Sequence, residues 1–200
     1  ILHSFPTRRS SDLALLVAPP EGVPVTIAAL LVLLGALSKS ALVPFHFWLP
    51  GAMAAPTPVS AYLHAAAMVK AGVYLVAALA PAMAGVPGWR PAVWVLGAMT
   101  LFLGGWRALR QDDLKLLLAY GTVSQLGFLV LLLGTGTQAA ALGGLAMVIA
   151  HALFKATLFL IVGVVDHSAG TRRISELSDV GRRLPGTAII AAIAAASMAG

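Results

Sequence analysis

The chain has 200 residues, of which 60% are hydrophobic and 10% charged, with a formal net charge of +6. A mean hydropathy of +0.93 excludes an ordinary soluble domain, in which about a quarter of residues are charged, and points to an all-α, polytopic membrane protein. It has no cysteine, which excludes disulfides, thiolate metal sites and iron–sulfur ligation. The basic residues fall between apolar segments, a pattern of membrane orientation and not of nucleic-acid binding.

Residues 1–13 differ in character from the rest of the chain. They begin without Met and lack the apolar core and small-residue cleavage site of a secretory signal. We read them as an atypical terminus, an artefact or a fragment edge, and 14–200 as a partial membrane domain. Hydropathy predicts about five full spans, each of roughly 20 apolar residues, with truncated ends. The first begins at Val25, but its clean apolar run stops at Leu37, too short to cross alone. Ala41–Leu49 supplies the other half, so a broken helix is expected at Ser38–Pro44. The second span is Val59–Ala80, the third Ala92–Trp106, the fourth Leu114–Leu133 and the fifth Ala139–Val165, and a sixth starts near Leu184.

Loop charges set the orientation. The loop at 107–115 holds Arg107, Arg110 and Lys115, and the loop at 166–183 holds Arg172, Arg173, Arg182 and Arg183. The opposite side, residues 1–13 set aside, has Arg90. That bias places both basic loops in the cytoplasm. Trp48, Trp89, Trp94 and Trp106 fall near span ends, as interfacial aromatics do. Asp112 and Asp113 read as an N-terminal cap for the fourth span. GTGTQA at 134–139 imitates a dinucleotide loop, but it comes after a span and has no acidic residue about 20 positions on. Asp166, His167 and the arginines at 172–183 read as a solvated loop.

The chemistry concentrates where ionisable residues interrupt apolar spans. Ala36–Ala71 carries Lys39, His64 and Lys70 among Pro44, Pro50, Pro56 and Pro58. A lysine at membrane depth needs protein or water around it and marks a functional site by default. A broken helix is tolerated only where neighbours or a polar cavity satisfy its backbone. Lys39 fits a site that gains and loses a proton; the alternative is a structural lysine, paired or snorkelling to an interface. His64 and Lys70 are six apart and point to different sectors of an ideal helix of about 3.6 residues per turn. One faces a pathway on that reading, and the other a partner helix. His151 and Lys155 are i and i+4, so they share one face of the fifth span. A metal site lacks ligands there, since that span has no Cys or carboxylate beside them. A proton relay through these side chains is the better reading.

KSALVPFHFWLPGAMAAPTPVSAYLHAAAMVKAGVYL, DDLKLLLAYGTVSQLG, HALFKATLFLIVG and DHSAGTR together resemble the proton-conducting, antiporter-like subunits shared by respiratory complex I and multisubunit cation/proton antiporters. The resemblance covers roughly residues 25–190 and is greatest to the large A subunit of Mrp-type Na+/H+ antiporters. It implies a helical bundle of inverted repeats with broken helices and half-channels. It also implies proton-path roles for Lys39, His64, His151 and Lys155, with no cofactor and no metal of the chain's own; Lys70, an extra lysine that favours the Mrp branch, reads as a modulating or second site on that path. The partners implied are other membrane subunits of a hetero-oligomeric complex in the bacterial cell membrane, with H+ and Na+ as transported ions. The alternative is a proton-pumping membrane subunit of an NADH:quinone oxidoreductase or hydrogenase-type complex. Two departures from the family pattern stand out. Tyr120–Gly121 lacks the second hydroxyl of a tyrosine–serine pair, and Arg173 replaces an aspartate after Gly170-Thr171-Arg172.

Overall fold

The computed structural model describes residues 22–65 and 68–199. Helix α1 is Val23–Lys39, α2 Trp48–Gly51, α3 Thr57–Ala65, α4 Lys70–Met83 and α5 Trp89–Ala108. Then come α6 Leu114–Leu133, α7 Gln138–Ala169, α8 Val180–Arg183 and α9 Pro185–Ala199, with 3-10 turns at Ala52–Ala54 and Ile174–Glu176. No strand occurs among the described residues; one isolated bridge joins Asp113 to Arg173. The all-α expectation holds. The atypical terminus expected at residues 1–13 lies outside the described residues.

Local chemistry explains the helix ends. The side chain of Asp113 accepts from the backbone amides of Lys115 and Leu116 and starts α6. Thr137 does the same for α7 through the amide of Ala140, so the glycine- and threonine-rich 134–139 stretch is a turn and a cap. Gly170, at φ 72°, ends α7 in the left-handed conformation that a side chain disfavours. The expected break is present. After α1 ends at Lys39 the chain turns through Ser40–Phe47, and its freed groups find partners in neighbouring elements. The Val43 amide donates to Thr100 Oγ1 at 3.0 Å, and the Trp48 indole donates to the Ser38 carbonyl at 3.2 Å. Ser40 Oγ accepts from the Val73 amide at 3.1 Å, tying the break to α4.

Two apolar clusters divide the bundle. One joins α1, α4, α5 and α6, and the other joins α3, α6, α7 and α9. Helix α6 belongs to both: Leu118 and Ala119 near its start lie in the second, and Val123, Leu126, Leu129, Val130 and Leu133 further along lie in the first. Glycines set the closest approach: a Cβ on Gly127 of α6 would lie 2.6 Å from the Leu101 amide nitrogen of α5.

The helices map onto the expected spans, and two readings at their ends need correction. Leu114–Leu133 is reproduced to the residue. By length and apolar content, three elements among the described residues suffice to cross a membrane: Thr57–Met83, Leu114–Leu133 and Gln138–Ala169. Helix α1 is too short alone at 17 residues; α5 has 20, but Trp, Gly, Pro and Arg dilute its apolarity. The 166–183 segment is not all loop, because α7 continues through Ala169. Nor is it simply solvated. Arg172 pairs with Asp113 at 2.5 Å, and Ser175 donates to Asp112 through its amide at 2.9 Å and its hydroxyl at 2.6 Å. Trp89 is not an interfacial anchor: it is 1% exposed, and its indole donates to the Gly134 carbonyl at 3.0 Å.

Candidate functional site

Helix α7 carries the site. Its inward stripe is His151, Phe154, Lys155, Leu158, Phe159 and Val162, all buried, the spacing that a single helical face dictates. His151 and Lys155, expected on one face, are both fully buried on it. Lys155 Nζ donates to the Leu118 carbonyl of α6 at 3.1 Å. The His151 ring lies edge-on to Phe154, with centroids 5.3 Å apart.

The second expected pair comes to the same helix. His64 of α3 is fully buried, its ring centroid 4.7 Å from that of Phe159. Lys70, the first residue of α4, donates to the Val148 carbonyl of α7 at 3.3 Å and to the Ala65 carbonyl that ends α3. The six-residue spacing predicts different sectors for these two residues, and instead both contact α7. Lys70 Nζ reaches the Val148 carbonyl from the start of α4, whereas the His64 ring packs on Phe159, eleven residues further along α7. From Val148 to Phe159 the four contacts extend about 16 Å along α7, at about 1.5 Å per residue.

Lys39 stands apart from this line. It is the last residue of α1 and is exposed. Its neighbour Ser40 is buried and bonded to α4, so the break places Lys39 close in sequence to the α1–α4 contact while its own side chain faces outward.

Sequence reasoning missed Lys115. Its place among loop arginines predicts a loop charge, yet it is only 2% exposed. Its Nζ donates to the Met53 carbonyl at 3.0 Å and to the Ala55 carbonyl, crossing from α6 to the turn after α2. A signal was available: Lys115 lies two positions after the capping Asp113 and therefore inside the helix. Gln125 is a further polar residue that sequence reasoning missed; its Oε1 is buried and has no hydrogen-bond partner among the described residues.

The arrangement has a definite electrostatic character. Lys70, Lys115 and Lys155 are buried, and their described bonds go to backbone carbonyls, not to carboxylates. Both ring nitrogens of His64 and of His151 are buried without a partner among the described residues. Among those residues no three of His, Cys, Asp or Glu come together as a metal site requires. Like charges held at this depth repel across a weakly screening interior, so a proton at one amine disfavours a second nearby. Lysines held by carbonyls and unpartnered imidazoles in alternation offer groups that can take up and release a proton.

A helical bundle with apolar, span-length helices, a broken helix and a buried lysine–histidine line defines a class of membrane protein with ionisable groups in its interior. Residues 13–200 match the family model described as NADH:quinone oxidoreductase/Mrp antiporter, TM, and the chain belongs to that family. It is 54% identical over 170 residues to a probable K(+)/H(+) antiporter A/B subunit of Rhizobium meliloti, covering 85% of this chain and 17% of that protein. It is 48% identical over 187 residues to the Na(+)/H(+) antiporter A subunit of Alkalihalophilus pseudofirmus, covering 86% and 23%. Among solved structures, the Mrp complex from a Dietzia species superposes with a TM-score of 0.80 at 42% identity, over 94% of this chain and 24% of that one. An archaeal membrane-bound sulfane sulfur reductase, a respiratory membrane complex, also gives 0.80, at 26% identity over 92% and 42%. The chain thus spans about a fifth of the length of these curated relatives.

Proposed function

We propose that this chain is the proton-translocating part of the large A subunit of a multisubunit cation/proton antiporter, exchanging H+ for Na+ together with other membrane subunits. The observation that carries the reading is the buried stripe on α7, where Lys155 and His151 lie between His64 of α3 and Lys70 of α4. A proton would pass among His64, Lys155 and His151, with Lys70 as a second or modulating site. Lys39, beside the broken-helix segment, would be the gated site. Its exposed side chain suits a group that exchanges protons with a surface outside this bundle.

A pump subunit of a respiratory complex is the second reading. It is supported by the equal TM-score of the sulfane sulfur reductase complex. One assay separates the two. Everted membrane vesicles carrying the assembled complex are energised, and collapse of the proton gradient is followed on adding Na+ or K+. Collapse with the wild type that disappears in Lys39→Ala, with assembly intact on a blue-native gel, supports the antiporter. Acidification driven by NADH, with no response to either cation, selects the pump. Normal exchange in Lys39→Ala removes that lysine from the path.

A further inference from the structure

Lys155 reaches α6 because residue 121 has no side chain. A Cβ on Gly121 would lie 3.1 Å from Lys155 Nζ, tighter than ordinary van der Waals contact. The amine instead occupies that space and donates to the Leu118 carbonyl at 3.1 Å. The nearby hydroxyl, Thr122 Oγ1, donates to the same carbonyl at 2.9 Å.

We propose that Gly121 is a positioning residue for Lys155: its missing side chain seats the amine against the Leu118 carbonyl and leaves it that one described acceptor. The inference rests on the relay reading above. It adds a position on α6 that decides how readily Lys155 releases its proton. The titratable groups beside Lys155 are His151 on its own helix and His64 from α3; Lys115, from the start of α6, acts on His64, and Lys70, from α4, acts on His151. All are basic. The acidic residues of α6 and α7 and their caps are Asp113, five residues before Leu118, and Asp166, eleven residues after Lys155; both act on Lys115, and neither bonds Lys155. No carboxylate in this set masks a change of acceptor at 121.

Two substitutions separate volume from hydrogen bonding. In Gly121→Ala a methyl group displaces the far end of a flexible side chain and not a backbone, so α6 and α7 keep their spacing. Gly121→Ser adds nearly the same volume and a hydroxyl that accepts from the ammonium, which favours the charged form.

The test uses the complete complex in everted vesicles, with Na+-induced gradient collapse measured across a pH series. Wild type, Gly121→Ala, Gly121→Ser and Lys155→Ala are compared, with assembly checked on blue-native gels. The expected result is an alkaline displacement of the Gly121→Ser profile by roughly one pH unit. Gly121→Ala should lower the maximal rate severalfold without that displacement or a changed Na+ concentration dependence. If both Gly121 variants superimpose on wild type while Lys155→Ala is inactive, the relay stands and the role of Gly121 is overturned. If Lys155→Ala exchanges normally, the relay reading falls and the inference falls with it.

Discussion

The Lys155 ammonium and the Leu118 carbonyl join α7 to α6 by a bond of 3.1 Å, and the same carbonyl already accepts from Thr122 Oγ1 at 2.9 Å. Removing the lysine therefore leaves the carbonyl satisfied. That asymmetry separates function from structure. Lys155→Met, which keeps most of the volume of the stem, should leave the thermal midpoint of the assembled complex nearly unchanged, a difference of about 1 kcal/mol or less. Exchange should fall by roughly a hundredfold or more, the scale of losing a positioned proton-transfer group. Vesicle assays and thermal denaturation on the same preparations check both arms. A large stability loss with proportionate loss of exchange would make Lys155 a structural residue.

Lys115 predicts the opposite balance. Its amine serves the Met53 and Ala55 carbonyls, at the turn where the chain passes from α2 into α3. Lys115→Met leaves the buried Met53 carbonyl and the part-buried Ala55 carbonyl without that donor, at about 1–3 kcal/mol for the buried one. The measurable outcome is a clear drop in the complex's thermal midpoint. Lys115→Arg, which keeps the charge and donors, should recover part of it. Unchanged stability with lost exchange would instead add Lys115 to the relay.

These two lysines show what was legible in the sequence and what was not. His151 and Lys155 could be read because they interrupt a long apolar run at i and i+4, a spacing that fixes a common face before any packing is known. Leu114–Leu133 could be read because Asp113 caps one end and Gly134 closes the other. Lys115 was half legible: its position two residues after the capping Asp113 puts it inside the helix, but its depth is set by carbonyls more than fifty residues earlier. The joint approach of His64 and Lys70 to α7 was hidden for a related reason. Their common partner is a helix more than seventy residues later in the chain, which spacing along their own segment does not reveal. Trp89 looked interfacial from its position at a span end, and only the Gly134 carbonyl across the bundle explains its burial.

At the membrane surface, the Ser175 hydroxyl and then the Ser175 amide hold the Asp112 carboxyl below the usual carboxylate range, and Arg173 acts in the same direction. A carboxyl depressed in the folded state stabilises the staple between the 109–113 and 170–176 segments fully above its unfolded pKa. That contribution is lost as pH falls through the lower, folded value. Protection against hydrogen exchange, taken relative to the intrinsic rate at each pH, should therefore fall on acidification at the Ser175 amide, which bonds Asp112 Oδ1. It should fall likewise at the Ile174 amide, which bonds the Asp112 carbonyl at 2.7 Å. In Asp112→Asn both amides should exchange faster at neutral pH and lose this acid-dependent step. An unchanged pH course in that variant would assign the staple to Arg172 and Asp113 instead.

Gly127 tests the packing that carries all of this. A Cβ there would stand 2.6 Å from the Leu101 amide nitrogen and 2.7 Å from the Gly97 carbonyl oxygen. Both are backbone atoms of α5, which cannot step aside as a side-chain tip can. Gly127→Ala must therefore push α5 and α6 apart, at a cost of about 1–3 kcal/mol or more, the range for overpacking. Since α6 belongs to both apolar clusters, the displacement reaches α7 and its relay stripe. Gly35 of α1 is the control, because a Cβ there meets nothing within 4 Å and Ala is the better helix former. Blue-native gels of the two variants should show lost or reduced assembly for Gly127→Ala and wild-type assembly for Gly35→Ala. Equal assembly of both would mean that the close approach of α5 to α6 does not hold the bundle together.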